Sequence, residues 1–245
     1  MTAPPVRPAA TVMIVRDAAE GDHGIEVFML RRTLSAVFAS GMYVFPGGRV
    51  ETSDGDDLDR AHRLAAIREC FEEAGILLAH RPGTFETVRD GHPALAERRR
   101  VYEGEVDLVT LCAEHGLEPA TEQLVWVAHW ITPAAETPRR FDTRFYLVPA
   151  PEGQTSVHDD TETIASLWIR PSVALERQRA GELTMMPPTI ATLGFLAGLG
   201  TVAEAMEAAR SLPPPVAILP KIRFGDDGTI AGIVLPGEPE YDAIE

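Results

Sequence analysis

Arg68-Glu69-Cys70-Phe71-Glu72-Glu73-Ala74-Gly75-Ile76 puts an arginine, three carboxylates and a stop glycine into nine residues. At about 100° per residue, Glu69, Glu72 and Glu73 fall in one arc of a helix, while Leu64, Ile67, Cys70, Phe71 and Ala74 occupy the opposite side. The stretch therefore predicts a helix with one buried face and one anionic face. Two carboxylates about 6 Å apart repel by roughly 0.7 kcal/mol in water and by roughly 3 kcal/mol at an effective dielectric of about 20. A divalent cation between them reverses that sign. Acidic residues on a helix are ordinarily a solvated face, but these residue types at these offsets point to a metal site.

Outward from this segment, the helical pattern runs from about Leu58 to Ala79, with Gly75 near the end of its tight part. Upstream, Gly41-Met42-Tyr43-Val44-Phe45-Pro46-Gly47-Gly48-Arg49-Val50-Glu51 reads as a short strand entering a Gly-Gly turn, where a backbone without Cβ atoms can approach an ion or a phosphate. Together, Phe-Pro-Gly-Gly and Arg-Glu-x-x-Glu-Glu-x-Gly resemble the two halves of the Nudix box. The family pattern has thirteen residues between the box glycine and its arginine, and nineteen lie between Gly48 and Arg68. The six extra residues fall in the acidic loop from Glu51 to Arg60, which also offers helix caps such as Asp57. Asp54, Asp56, Asp57 and Asp59 all compete there for the role of the first box glutamate.

Composition limits the function classes. A chain of 245 residues suits one large domain with additions. The net charge of -15 argues against nucleic-acid and membrane-surface binding, and requires local arginines or cations if the substrate is a phosphate compound. Cys70 and Cys112 read as reduced packing residues. With no apolar run long enough to span a bilayer, no signal-peptide pattern and no Ser-Lys-Leu-like ending, the expected compartment is the cytoplasm.

Along the chain, residues 1–8 read as a disordered proline-rich start, and residues 9–237 as a single domain. Ala10–Val15 and Ile25–Leu30 form an expected antiparallel hairpin. Arg31 and Arg32 close its second strand, either as a solvated exit or as a phosphate contact. Residues 91–118 read as an insertion of two helices, Pro93 to Val106 and Asp107 to His115. Arg98-Arg99-Arg100 is there a solvated face or an anion-binding lid. Gln123–Pro133 and Arg139–Val148 have strand character. Arg139, Arg140 and Arg144 are candidates for clamping phosphate through paired hydrogen bonds. His158–Thr163 is an acidic loop before a strand, Ser166–Ile169. The expected C-terminal helical addition covers about 171–212, with helices Pro171–Leu183, Thr189–Leu199 and Thr201–Leu212. Val216–Leu219 and Thr229–Leu235 make a closing strand pair, and 238–245 an acidic tail.

Trp130-Ile131-Thr132-Pro133 followed by Arg139-Arg140-Phe141-Asp142-Thr143-Arg144-Phe145 resembles the acyl-coenzyme A diphosphatase subfamily of Nudix enzymes, which also carries extra length inside the box. The resemblance implies an α/β/α sandwich with a mixed sheet, a helical insertion after the box and a helical C-terminal addition. It implies a metal set of Glu69, Glu72, Glu73 and the Gly48 carbonyl, binding Mg2+ or Mn2+ that offsets phosphoryl charge and lowers the pKa of water. Arg68 would orient a carboxylate of the catalytic Glu72. In Nudix enzymes an acid near His158–Thr163 completes the metal shell or acts as general base, with Glu162 the first choice and Asp159 the second. Arg139, Arg140, Arg144 and Arg32 would bind substrate. The implied substrate is a small-molecule nucleoside diphosphate derivative, coenzyme A or an acyl-coenzyme A, cut to adenosine 3',5'-bisphosphate and (acyl-)4'-phosphopantetheine. The alternatives are a pyrophosphatase of ADP-ribose, NADH or a nucleotide sugar, and a Nudix module that binds a nucleotide without cutting it. No nucleic-acid or membrane partner is expected, and a homodimer is left open.

Overall fold

The computed structural model describes residues 5–19, 23–34, 39–133, 139–156, 163–227 and 229–244. Strand β1 (Val6–Asp17) turns back into β2 (Ile25–Arg32), with Val15 opposite Val27, as the alternating apolar residues require. Short strands β3 (Tyr43–Val44) and β4 (Gly47–Arg49) follow, and then helix α1 (Leu58–Ala74). The insertion lies between β5 (Ala79–His80) and β6 (Glu118–Pro119), a small two-stranded clasp, and contains α2 (Arg98–Tyr102) and α3 (Leu108–Glu114). Strands β7 (Val125–Ile131), β8 (Arg140–Pro149) and β9 (Thr163–Ile169) return to the main sheet. Helices α4 (Pro171–Arg179), α5 (Pro187–Leu196) and α6 (Val202–Arg210) lead to a hairpin of β10 (Lys221–Phe224) and β11 (Ile230–Val234).

Seven strands form one mixed sheet in the order β3-β2-β1-β8-β7, with β4 also on β1 and β9 also on β2. Only β1 and β8 run parallel among its pairings, and the register sets Val6 beside Arg140 and Arg7 beside Phe141. Because side chains alternate along a strand, β1 feeds two cores. Val12 and Ile14 join Leu64, Ile67 and Phe71 of α1, whereas Met13 and Val15 join Leu193 and Leu196 of α5 and Met206 of α6. The expected α/β/α sandwich is therefore present, with α1 and the insertion on one face and the C-terminal helices on the other.

Several boundaries differ from the expectation for local reasons. Helix α1 ends at Ala74 rather than near Ala79, because Gly75 takes φ 69° and its N–H donates to the Phe71 carbonyl. The chain then straightens into the buried run Ile76–Ala79. Strand β1 begins at Val6, so residues 6–8 belong to the sheet, and Pro8 accepts a bond from Val50 N. The expected Pro93–Val106 helix is a 3-10 segment (Pro93–Glu97) followed by the short α2. Prolines 187 and 188 open α5 instead of preceding it, since proline suits the first helical turn. Val216–Leu219 is not half of the closing hairpin. Its Ile218 lies beside Trp130 and covers the β7 edge, with Ile131 N donating to Ile218 O at 2.8 Å. Residues 238–244 are not a loose tail: Tyr241 bonds the Leu219 carbonyl at 2.7 Å, and Arg223 pairs with Glu240 at 2.6 Å.

Candidate active site

Asp57 starts α1, accepting a hydrogen bond from Arg60 N at 2.8 Å. Helix α1 then crosses beneath β4, bringing the Gly47-Gly48 turn onto the anionic face. Gly47 N donates to Glu73 Oε2 at 2.9 Å. At Gly48 the approach is closer, and a Cβ built there would stand 2.3 Å from Glu69 Oε1. Thus the face expected to be anionic is roofed by backbone. Glu73 is 5% exposed, with Arg32 Nη1 at 3.7 Å from its other oxygen, while Glu69 and Glu72 are half-buried.

Arg68 is the buried organiser of this row. Its Nη1 donates to Glu69 at 2.9 Å and lies 3.3 Å from Glu72 Oε2. Its Nε and Nη2 each reach Asp54 at 3.2 Å, and Nη2 also donates to the Arg49 carbonyl at 2.7 Å. Surrounding carboxylates raise the arginine's pKa despite burial, so it stays charged. Of the four competing aspartates in the acidic loop, Asp54 pairs with Arg68, Asp57 caps α1, Asp59 bonds Arg63 and Arg144, and Asp56 is exposed. Asp54 closes a 3-10 turn, Thr52–Asp54, in a reciprocal cap with Glu51, and the inserted residues bulge out after it. The signal that could have found it is this acidic pair three residues apart immediately before Gly55.

Burial raises the Glu72 pKa, only partly opposed by the charge and hydrogen bonds of Arg68, and Glu51 and Asp54 push it further upward. A carboxylate so placed gains from any additional cation. The donor chemistry fits a hard divalent ion, for which Glu69, Glu72 and Glu73 would supply oxygens, and the cradle at Gly48 leaves no space for a side chain. Among the described residues, no three acidic, histidine or cysteine side chains converge on a ready-made cage.

The row opens into a cleft of about 1470 Å³, larger than the ordinary range of about 300–1,000 Å³ for ligand pockets. Its sheet wall includes Arg7, Ala9 and Thr11 of β1, with Phe141, Thr143 and Arg139 beside them; its far wall is the α2–α3 connection from Arg100 to Asp107. Arg32 and Arg139 line this cleft, whereas Arg140 and Arg144 do not. Arg140 bonds the Thr132 carbonyl at 3.0 Å. Arg144 pairs with Asp59 at 2.8 Å and lies over the Trp126 ring at 4.4 Å. The three arginines separate by strand parity, since 139 falls on the face of 141 and 143, and 140 on that of 144. Arg7, which the sequence reading left in a disordered start, is the cleft residue it missed. Of the three successive arginines, Arg99 is exposed as a solvated face requires, Arg100 lines the cleft, and Arg98 donates to the Glu72 carbonyl at 2.6 Å and staples the insertion to α1. Glu162 and Asp159 lie outside the described residues.

A roofed row of helix carboxylates opening into a broad cleft on such a sheet is the architecture of a metal-assisted hydrolase of phosphate compounds. A family model described as NUDT19 Nudix domain matches residues 56–196, and the chain belongs to this family of Nudix hydrolases. Divalent metals are general to the Nudix enzymes. Curated relatives named acyl-coenzyme A diphosphatase NUDT19 include proteins from Gallus gallus and Homo sapiens. The Gallus gallus protein is 28% identical over 302 residues, covering 96% of this chain and 79% of its own length. The Homo sapiens protein is 32% identical over 199 residues, covering 75% of this chain and 51% of its own length, so the chain matches about half of that relative. A solved NUDIX hydrolase from Alicyclobacillus acidocaldarius superposes with a TM-score of 0.73 at 30% identity, over 83% of this chain and 96% of that one. Among the described residues no helix is long and apolar enough to cross a membrane.

Proposed function

We propose that the chain hydrolyses the diphosphate of coenzyme A or an acyl-coenzyme A, releasing adenosine 3',5'-bisphosphate and (acyl-)4'-phosphopantetheine. The observation that carries the hydrolase chemistry is the Glu69-Glu72-Glu73 row held against Gly47 and Gly48 by Arg68. The relatives' printed activity supplies the substrate class. A bound Mg2+ or Mn2+ would neutralise charge on the phosphoryl oxygens and make water more acidic. Glu69, Glu72 and Glu73 would hold it, with the Gly48 backbone alongside.

Arg68 aims Glu69 and Glu72 through its ion pairs, so their geometry is set before substrate arrives. Glu72 lines the cleft, and burial raises its pKa, which favours its accepting a proton from the attacking water. Arg32, beside Glu73 at the cleft, is placed to meet a phosphate oxygen. Water attack breaks one P–O bond of the diphosphate, and the departing phosphate carries away the bonding electron pair.

The test is mass-spectrometric analysis of products from coenzyme A, an acyl-coenzyme A, ADP-ribose and NADH in Mg2+ or Mn2+. Adenosine 3',5'-bisphosphate is expected from the parent, and is lost on chelation and in Glu72→Gln and Glu73→Gln. Cleavage of ADP-ribose alone would keep the carboxylate row and discard the coenzyme A reading. Metal binding without any product would discard the hydrolase assignment for these substrates.

A further inference from the structure

Resting on the coenzyme A reading, we infer that Arg7 and Arg139 form a recognition site for the 3'-phosphate that distinguishes coenzyme A from nucleotides lacking it. Both arginines are exposed and line the catalytic cleft. Arg7 lies in β1, and Arg139 immediately precedes β8, its parallel neighbour. Arg7 is the register partner of Phe141, and Arg139 lies two residues before Phe141, so the three side chains share one patch of sheet wall. At Arg7 the neighbouring strand is β8, and β4 joins the other side of β1 from Ala9 to Thr11, next to the carboxylate row. No hydrogen bond or ion pair among the described residues engages its guanidinium.

Position along β1 ties this patch to the reacting bond. Thr11 sits opposite Gly47, whose N–H holds Glu73, and Arg7 is four residues away, about 13 Å of extended backbone at roughly 3.3 Å per residue. In coenzyme A the 3'-phosphate is one ribose away from the diphosphate, and the long arginine stems reach back across the remaining distance. The cleft also holds Glu51, Glu103, Glu105, Asp107 and Glu114. Its other arginines face carboxylates, Arg32 at Glu73, Arg49 at Glu51, Arg68 at Glu69 and Arg100 at Glu114, so a second dianionic group needs cations of its own. The guanidinium fork matches a phosphate in charge and geometry. ADP-ribose and NADH carry no phosphate at that position to meet the patch.

The experiment compares kcat/KM for coenzyme A and 3'-dephospho-coenzyme A in the parent and in Arg7→Ala, Arg139→Ala and Arg7→Lys, with thermal melting to confirm folding. The parent is expected to prefer coenzyme A. Each alanine variant is expected to lower the preference ratio about 10- to 100-fold, the usual worth of a charge-assisted hydrogen bond, and Arg7→Lys to retain part of it. An unchanged ratio in both alanine variants, or a parent that turns over both compounds equally, would overturn the 3'-phosphate site while leaving the hydrolase assignment intact. A parent that cleaves neither compound would overturn the coenzyme A reading itself.

Discussion

At Gly47 and Gly48, adjacent residues in one turn, an added methyl group has two different consequences. A Cβ at Gly47 would stand 2.5 Å from the Ala10 carbonyl and 2.7 Å from Thr11 Cα, both parts of a rigid central strand. At Gly48 the clash is with the Glu69 carboxylate, the far end of a side chain that can swing away. Gly47→Ala is therefore expected to lower the melting temperature, as β4 is pushed off β1. Gly48→Ala is expected to fold with nearly the parent stability and lose about 100-fold in kcat, because a displacement of about 1 Å at a catalytic group costs that much. Melting curves and initial rates on the pair check this, and equal losses of stability would refute it. The acidic row itself was legible at this scale, because i, i+3 and i+4 offsets are local geometry. Which of Arg139, Arg140 and Arg144 enters the cleft followed from strand parity, which the sequence also contained. The partner of Arg68 did not, since Asp54 lies fourteen positions away and is brought in by the folded loop.

Among the elements, the β5–β6 clasp closes the insertion that forms the far wall of the cleft. His80 fastens it, with Nε2 2.8 Å from Glu122 and Nδ1 3.6 Å from Glu118 and 3.1 Å from the Arg81 carbonyl. Burial opposes charge on this ring, but the Arg81 carbonyl and the two carboxylates outweigh it, so its pKa is raised. A raised histidine pKa means the folded state holds the proton more tightly than the unfolded chain. The stabilisation is then complete below the unfolded value of about 6.5 and fades as pH rises through the folded value. The melting-temperature advantage of the parent over His80→Gln should accordingly be larger near pH 6 than near pH 8.5, a range of about two to three units spanning histidine titration. A pH-independent difference would remove the ionised clasp from the account. Helix existence in this region was readable from periodicity. The clasp was not, because two-residue strands carry too little pattern to register.

Across the whole molecule, two apolar cores share one sheet, so neither face should melt alone. Phe71 on the α1 face and Leu193 on the α5 face are each fully buried. Phe71→Ala is expected to cost about 3–5 kcal/mol and Leu193→Ala about 2–5 kcal/mol. At about 2–4 °C per kcal/mol for a chain of this size, each lowers a single common melting transition by about 4–20 °C. Resolution into two transitions in calorimetry would show instead that the C-terminal helices unfold independently of the active-site half.

By itself the sequence determined what depends on local spacing: the carboxylate helix, the glycine turn, the alternating strands and the reduced, buried cysteines. Local spacing suffices there because backbone geometry converts offset directly into direction. Only the tertiary structure decided that Asp54 answers Arg68, that Gly48 presses on Glu69, that Arg98 staples rather than floats, and that Arg7 joins Arg139 at the cleft. Each of these contacts joins residues far apart in the chain, and their meeting depends on strand order, register and the parallel crossing of β1 and β8, which no short window of sequence contains.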